Sequence, residues 1–113
     1  MAKGKRLGEA EHFVLLALKR LGRRPSSGAD IRDIVEERTG RVLSVSAVYV
    51  TLMRLEKKGF LTSCLGEPTP VRGGKARRQF LITEAGHEAL DEVRRQWQRM
   101  WEGLPSATDG AAG

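Results

Sequence analysis

The sequence predicts a mainly α-helical domain with one small two-stranded antiparallel β-hairpin and a long C-terminal helix. Three stretches with apolar residues at helical spacing precede residue 60, and each ends near a glycine. After Gly59 the pattern changes to two short apolar or alternating runs, separated by a segment rich in Gly and Pro, which is typical of a hairpin. A fourth stretch, from Glu84 to about Gly103, returns to helical spacing.

The composition limits the classes of protein to which the chain can belong. Its 113 residues suffice for one domain with a single core. The 20 Lys and Arg residues exceed the 14 Asp and Glu residues, and the net charge of +6 favours a polyanionic partner such as nucleic acid. With Cys64 as its single cysteine and no apolar run long enough for a membrane span or a signal peptide, we expect a cytoplasmic protein.

The first two helices are predicted from apolar runs and from the signals at their ends. Residues 1–8 form a basic flexible arm, and a helix follows from Glu9 to Leu21. Because Phe13 to Leu18 are all apolar, we expect this helix to be buried on more than one side, with another subunit covering the second side. A second helix is predicted to begin at a capping box, Ser27 to Asp30, and to end at Gly40.

The helix around which the chain is organised is predicted from Ser44 to Lys58. Val48, Leu52 and Leu55 form its buried stripe. The opposite face is assigned Ser46, Val50 and Lys57, and its flanks are assigned Tyr49, Met53 and Arg54. This face has no acid until Glu56, and its hydroxyl, small apolar groups and cations suit a DNA major groove. The alternative is an ordinary amphipathic surface helix.

The hairpin is predicted from strands at Phe60 to Leu65 and at Gln79 to Ile82, with both phenylalanines in the core. Residues 71–78 between them, VRGGKARR, contain four cations and no acid. Two short helices joined by a tight linker and followed by a basic hairpin indicate a winged helix-turn-helix, whose wing lies against phosphates or enters a minor groove. The alternative for the wing is a solvated loop.

The C-terminal helix is predicted over residues 84–104, with Thr83 as its cap and a flexible tail at 105–113. Its apolar residues advance by 3, 4, 3 and 4 positions, at Leu90, Val93, Trp97, Met100 and Leu104. Because this seam has little left to pack on within the chain, we expect it to pair with a symmetry mate. The predicted organisation is therefore a winged-helix domain at 9–83, preceded by the arm and followed by a dimerisation helix and the tail.

The sequence carries no pattern that indicates catalysis or metal binding. His12, His87 and Cys64 lack the spacing of zinc ligands, and no nucleophile stands beside an identifiable base. Cys64, in a predicted strand, is expected to be a small buried hydrophobe. We expect no enzyme, no cofactor and no metal site.

Three stretches of the chain closely resemble the PadR family of bacterial winged-helix repressors, in particular its short-tailed subgroup. They are LGEAEHFVLLALKRLG, SVSAVYVTLMRLEKKGFL and LGEPTPVRGGKARRQFLITEAG, within roughly residues 7–100. The most specific parts are AVYVTLMRLEKKG, RGGKARR and FLITEAG. The resemblance implies a cytoplasmic homodimer that binds a near-palindromic operator and represses transcription. Many relatives carry an aromatic residue where this chain has Ser27.

The resemblance also implies where the DNA contacts lie, with Tyr49 and its neighbours on the central helix and a glycine-rich wing tip. The residues assigned to DNA binding are Ser46, Ala47, Tyr49, Val50, Arg54, Arg72, Gly73, Gly74, Lys75 and Arg77. Two other classes stay open, namely a winged-helix protein–protein interaction module without specific DNA binding and a basic RNA-binding module. Selective retention of duplex DNA from the protein's own upstream region would separate the DNA regulator from the interaction module.

A small aromatic effector is the remaining partner that the resemblance suggests. Some multidrug-sensing members of the family hold flat apolar compounds between paired tryptophans, whereas large aromatics at interfaces commonly just fill the core. Trp97 is therefore expected either to anchor the dimer or to line a pocket. The residues assigned to the dimer interface or to this pocket are Phe13, Leu16, Leu90, Val93, Trp97, Met100 and Trp101.

Overall fold

The computed structural model of the chain describes residues 6–22, 24–66 and 78–107. The elements in chain order are α1 (Glu9–Leu21), α2 (Gly28–Thr39), α3 (Val45–Lys57), β1 (Leu61–Leu65), β2 (Arg78–Ile82) and α4 (Glu84–Trp101). Within these residues, four helices with a two-stranded antiparallel sheet confirm the predicted mainly helical fold class. The greater part of the expected arm, residues 1–5, and the end of the tail, residues 108–113, lie outside the described residues.

The helix ends follow the local signals in the sequence. The Ser27 hydroxyl accepts a hydrogen bond from the Asp30 amide at 3.2 Å, and the Asp30 carboxylate accepts from the Ser27 amide at 3.4 Å, which completes the predicted capping box. The hydroxyls of Ser44 and Thr83 each accept from the amide three residues on, at 3.1 Å. Gly40 ends α2 in the left-handed region, with φ of 76°.

The core lies between the first three helices and the inner face of the sheet. The largest fully buried side chains are Phe80, Leu15, Leu18, Ile31, Leu52, Leu55, Leu61, Val14, Val35 and Val48. Phe60 is also buried, so the prediction that both strand phenylalanines belong to the core is confirmed. Within the apolar run of α1, Leu16 stays 40% exposed, which leaves one side of that helix uncovered in the protomer.

The strand β2 is held against the helices by more than its partner strand. The register pairs Leu61 with Ile82 and Leu65 with Arg78. On its other edge, Phe80 exchanges two backbone hydrogen bonds with Ser26, at 2.8 and 2.9 Å, just before α2. The root of the hairpin is therefore fixed on both sides.

The prediction that Cys64 is buried is wrong, because its side chain is exposed. Side chains alternate between the two faces of a strand, and Leu61 is the residue of β1 that points into the core. Cys64 lies three positions from Leu61 and therefore faces away from the core.

The helix α4 begins in the core and leaves it within two turns. A Cβ at Gly86 would lie 2.2 Å from the carbonyl oxygen of Phe60, so only glycine permits this approach of α4 to the backbone just before β1. Leu90 is 4% exposed and packs in the core of its own protomer, and its assignment to the dimer interface or an effector pocket stays a prediction. The helix ends at Trp101 instead of continuing to residue 104. No helix among the described residues is long and apolar enough to cross a membrane.

Candidate nucleic-acid interface

The helix α3 presents one open face whose composition matches the prediction. Its exposed residues are Ser46, Ala47, Val50, Met53, Arg54 and Lys57. The opposite face, with Val48, Leu52 and Leu55, is fully buried. Because the two cations stand on the C-terminal half of this open face and no acid does, the face carries positive charge beside small apolar groups.

The position of Tyr49 differs from the prediction that it flanks the open face away from the core. Its half-buried ring packs edge-to-face on Phe80, with the ring centroids 5.8 Å apart and the planes at 60°. A Cβ at Gly28 would lie 3.0 Å from the same ring, so α2 approaches α3 closely at this point. Tyr49 is therefore part of the packing between α2, α3 and β2.

A hydrogen-bonded chain that the sequence did not reveal joins α3 to the base of the wing. The Arg78 guanidinium donates to the Ser63 hydroxyl at 2.8 Å, and this hydroxyl donates to the Glu56 carboxylate, also at 2.8 Å. Glu56 is thereby engaged with the sheet beside the open face. These hydrogen bonds fix β1 and β2 relative to α3 at this edge of the molecule.

The residues assigned to the wing tip lie outside the part of the chain that the structure describes. They are Arg72, Gly73, Gly74, Lys75 and Arg77. The described strands end at Leu65 and begin again at Arg78, on the same edge of the molecule as the hydrogen-bonded chain from Arg78 to Glu56. The assignment of the wing tip to DNA stays a prediction from the sequence.

An ion pair joins the first turn of α1 to the residue that follows α3. The Lys58 ammonium lies 2.7 Å from the Glu11 carboxylate, and both side chains are largely buried. Burial of the Glu11 carboxyl opposes its ionisation, but the hydrogen bond from Lys58, the Gly8 amide and the charges of Lys58 and Arg54 outweigh burial and lower its pKa. Because the partners are 47 residues apart, no local pattern in the sequence predicts the pair.

Several of the predicted dimer residues line two depressions that share Trp97. Trp97, Met100 and Trp101 line an open apolar depression of about 450 Å³ together with Leu104. Leu16, Leu90 and Trp97 meet in a different cleft of about 300 Å³ between α1 and α4.

The remaining predicted dimer residues occupy other environments. Phe13 lies in a groove between α1 and α2, under the Arg41 guanidinium, whose carbon is 5.5 Å from the ring centroid. Val93 is half-buried, on α4 between Leu90 and Trp97. The open patch is therefore shorter than the predicted seam and begins at Trp97.

The part of the chain that the structure describes contains no candidate metal site. No three His, Cys, Asp or Glu side chains there are grouped so that they could hold an ion. Burial lowers the pKa of His12 and favours its neutral form, but it stands beside Phe13 in a stacked arrangement rather than beside other ligands.

Comparisons with known proteins agree with this architecture. The family model described as "Transcriptional regulator PadR-like family" matches residues 17–92, more than half of the chain. Among curated protein sequences there is no match. A PadR family transcription regulator from Clostridium difficile R20291 has a similar structure, with a TM-score of 0.68 and 22% identity, over 82% of this chain and 91% of that one.

Two further solved structures show the same fold. A transcriptional regulator from Clostridium thermocellum superposes with a TM-score of 0.65 at 24% identity, over 80% of this chain and 82% of that one. A PadR family transcriptional regulator from Eggerthella lenta DSM 2243 gives a TM-score of 0.62 at 29% identity, over 80% of this chain and 75% of that one.

Proposed function

The chain belongs to the PadR-like family of transcriptional regulators, and from this premise we propose that it is a sequence-specific repressor that binds a near-palindromic operator as a homodimer. The observation that carries the proposal is the open face of α3. It is uncovered, lacks acids, and is rigidly placed beside the root of the wing. Such a face can enter a major groove without repelling the phosphates on either side.

The proposed contacts divide into base-facing and phosphate-facing groups. Ser46, Ala47 and Val50, in the first two turns of α3, face base edges, because the N-terminal part of a recognition helix reaches deepest into the groove. Arg54 has the length and charge to reach a phosphate. Tyr49 contributes at most its exposed edge.

The wing cations Arg72, Lys75 and Arg77 are proposed to neutralise phosphates, with Gly73 and Gly74 allowing close approach of the backbone. Their support is the charge of this segment and its place after the first of the described hairpin strands.

The homodimer is supported by the bare apolar end of α4. Residues 9–83 are proposed to form the DNA-binding unit and residues 84–104 the dimerisation segment, with Trp97, Met100 and Trp101 at the interface. A two-fold axis there would set the two α3 helices about 34 Å apart, one turn of DNA. An operator with two half-sites at that spacing follows from this geometry.

A small aromatic effector is a second, separate proposal. The apolar depression at Trp97, Met100 and Trp101 offers flat indole surfaces next to a volume of about 450 Å³. If the dimer axis passes beside it, a planar compound bound there would change the separation of the two α3 helices and with it the affinity for DNA.

The experiment that tests the repressor is a titration of duplex DNA from the protein's own upstream region, with a scrambled duplex of equal length as the control. Tighter binding of the upstream duplex is expected at every salt concentration. The slope of log K against log salt should flatten by about 0.9 for each phosphate that the Arg72→Ala, Lys75→Ala double variant no longer neutralises. Equal binding of both duplexes would favour the interaction module instead, and an unchanged slope would rule out the wing as a phosphate clamp.

A further inference from the structure

The centre of the open face of α3 is apolar. Val50 stands there with 52% of its surface exposed. Ala47 lies almost one turn before it and Arg54 about one turn after it, and both are exposed. The face also carries the apolar Met53, which is 41% exposed, beside the polar and charged Ser46, Arg54 and Lys57. Val50 is therefore a branched aliphatic residue at the middle of this face.

The hydrogen-bonding groups around Val50 are mostly committed elsewhere in the protein. The Ser44 hydroxyl accepts from the Ala47 amide at 3.1 Å and caps the helix. The Thr51 hydroxyl is buried and donates to the Ala47 carbonyl at 2.9 Å. The Tyr49 ring packs on Phe80 and is half-buried, so Ser46 carries the exposed side-chain hydroxyl in the first two turns of α3, all of which the structure describes. Direct reading of bases by hydrogen bonds is therefore sparse in this part of the helix.

We propose that Val50, with Ala47 beside it, reads the 5-methyl group of thymine in each half-site of the operator. Thymine is the base that places a methyl group in the major groove, and contact with an apolar side chain distinguishes it there. A valine held against guanine or adenine acceptors, or against phosphate, would instead leave those polar atoms without partners. The inference rests on the proposed DNA-binding function and specifies which chemical group on the DNA the helix recognises.

The direct test replaces each thymine of the bound duplex, one at a time, by deoxyuridine. This exchange removes only the 5-methyl group and leaves every hydrogen-bonding group of the base in place. Burying one methyl group contributes about 0.8 kcal/mol, which corresponds to about a fourfold change in affinity. We expect a loss of this size at one or two thymines in each half-site and none elsewhere.

Two variants assign the effect to the side chain. Val50→Ala should weaken binding to the natural duplex by a similar factor. In this variant, deoxyuridine at the same thymine should cause no further loss of affinity, as expected for two groups in direct contact. Val42→Ala removes the same atoms from a valine that is 77% exposed but lies before α3, and it should keep the full deoxyuridine effect.

The outcomes separate this inference from the function on which it rests. Specific binding that no deoxyuridine substitution weakens would overturn the thymine assignment and leave the repressor intact. A full deoxyuridine effect in Val50→Ala would move the methyl contact to another residue and would also overturn it. Equal affinity for the upstream and scrambled duplexes would refute the specific DNA regulator itself, and the inference with it.

Discussion

The two ends of α4 lie in opposite environments although they belong to one helix. At its start, Gly86 touches the backbone of Phe60 and Leu90 is 4% exposed within the core. At its end, Trp97, Met100 and Trp101 are 59%, 78% and 66% exposed. Nothing in the described part of the protomer covers these three side chains, although they are among the largest apolar residues in the sequence.

The difference shows which part of the molecule is complete by itself. The helices α1 to α3, the sheet and the start of α4 enclose one core, and we call this part the closed body. Ion pairs such as that of Glu11 and Lys58 join its elements at the edge. The end of α4 has the apolar side chains of a core without the second layer that a core needs. A contiguous apolar patch of this kind is typical of association surfaces, and it is the surface on which the proposed homodimer would pair.

The largest expected effect comes from placing a charge on the exposed apolar end of α4, at Trp97, Met100 and Trp101, which we call the bare end. Met100→Glu should raise the dimer dissociation constant by about 100-fold or more, because an unpaired carboxylate buried at an interface costs several kcal/mol. Affinity for a two-half-site operator should fall with it. Sedimentation equilibrium and DNA titration measure the two effects, and circular dichroism should show an unchanged helix content because Met100 is exposed in the protomer.

The matched control is Gln98→Glu, which adds the same charge to the same helix away from the apolar stripe. It should leave the dimer intact. If both variants dissociate equally, added charge anywhere on this helix weakens the dimer. The apolar side chains at the end of α4 would then not be what holds the two subunits together.

The sequence predicts the parts of the fold that depend on neighbouring residues and misses those that depend on distant ones. Ser27, Ser44 and Thr83 cap their helices as expected, because a cap involves only the next three residues. Spacing alone puts Tyr49 outside the core, because the helical pattern cannot show that Phe80, from a later strand, covers its flank.

The candidate site shows the same limit. Its exposed face on α3 follows from spacing alone, whereas the chain through Ser63 from Glu56 to Arg78 requires the register of the hairpin. The wrong prediction for Cys64 has a related cause. The alternation along β1 shows which residues face the core only when one of them, Leu61, is already known to be buried.

The next largest effect concerns a residue of the closed body. Tyr49→Ala should lower the free energy of unfolding by about 2–3 kcal/mol, since it removes a ring that packs between Phe80 and Gly28. Val50→Ala, the next residue but on the open face, should change it by no more than about 0.5 kcal/mol. Urea denaturation at one fixed protein concentration compares the variants, as dimer stability depends on concentration. Equal stability in both would show that Tyr49 is not a packing residue.

A smaller effect, with a pH dependence, is expected at the ion pair of the body. Glu11→Gln should cost about 1–3 kcal/mol at pH 7, because Lys58 then loses its charged partner in a largely buried position and keeps the Arg6 backbone carbonyl as an acceptor. The pKa of Glu11 lies below its ordinary value of 4.5, so the pair contributes fully above about that pH and its contribution is lost as the pH falls through the lowered pKa. The difference between wild type and variant should therefore shrink in acid.

The control for the ion pair is Glu9→Gln, two residues earlier on α1. Glu9 also pairs with a cation, Arg41, but both side chains are more than 40% exposed and such pairs contribute about 0–1 kcal/mol. A Glu9→Gln variant as unstable as Glu11→Gln would mean that burial does not set the strength of these pairs.

The smallest expected effect tests whether the bare end of α4 does more than join two subunits. The chain has two tryptophans, so Trp101→Phe leaves Trp97 as the single indole and Trp97→Phe leaves Trp101. Titration of each dimer with planar cationic and phenolic compounds should quench the emission of the remaining indole to saturation, because Trp97 and Trp101 both line the depression. The same compound should weaken operator binding about fivefold or more, and operator DNA must weaken compound binding by the same factor, because coupling between two sites is reciprocal. Saturable quenching without any change in DNA affinity would identify a passive surface site. If no compound quenches Trp97 while Trp97→Ala yields monomers, the indole acts only as an anchor of the dimer. The end of α4 then differs from the closed body in one respect, namely that another subunit supplies its second layer.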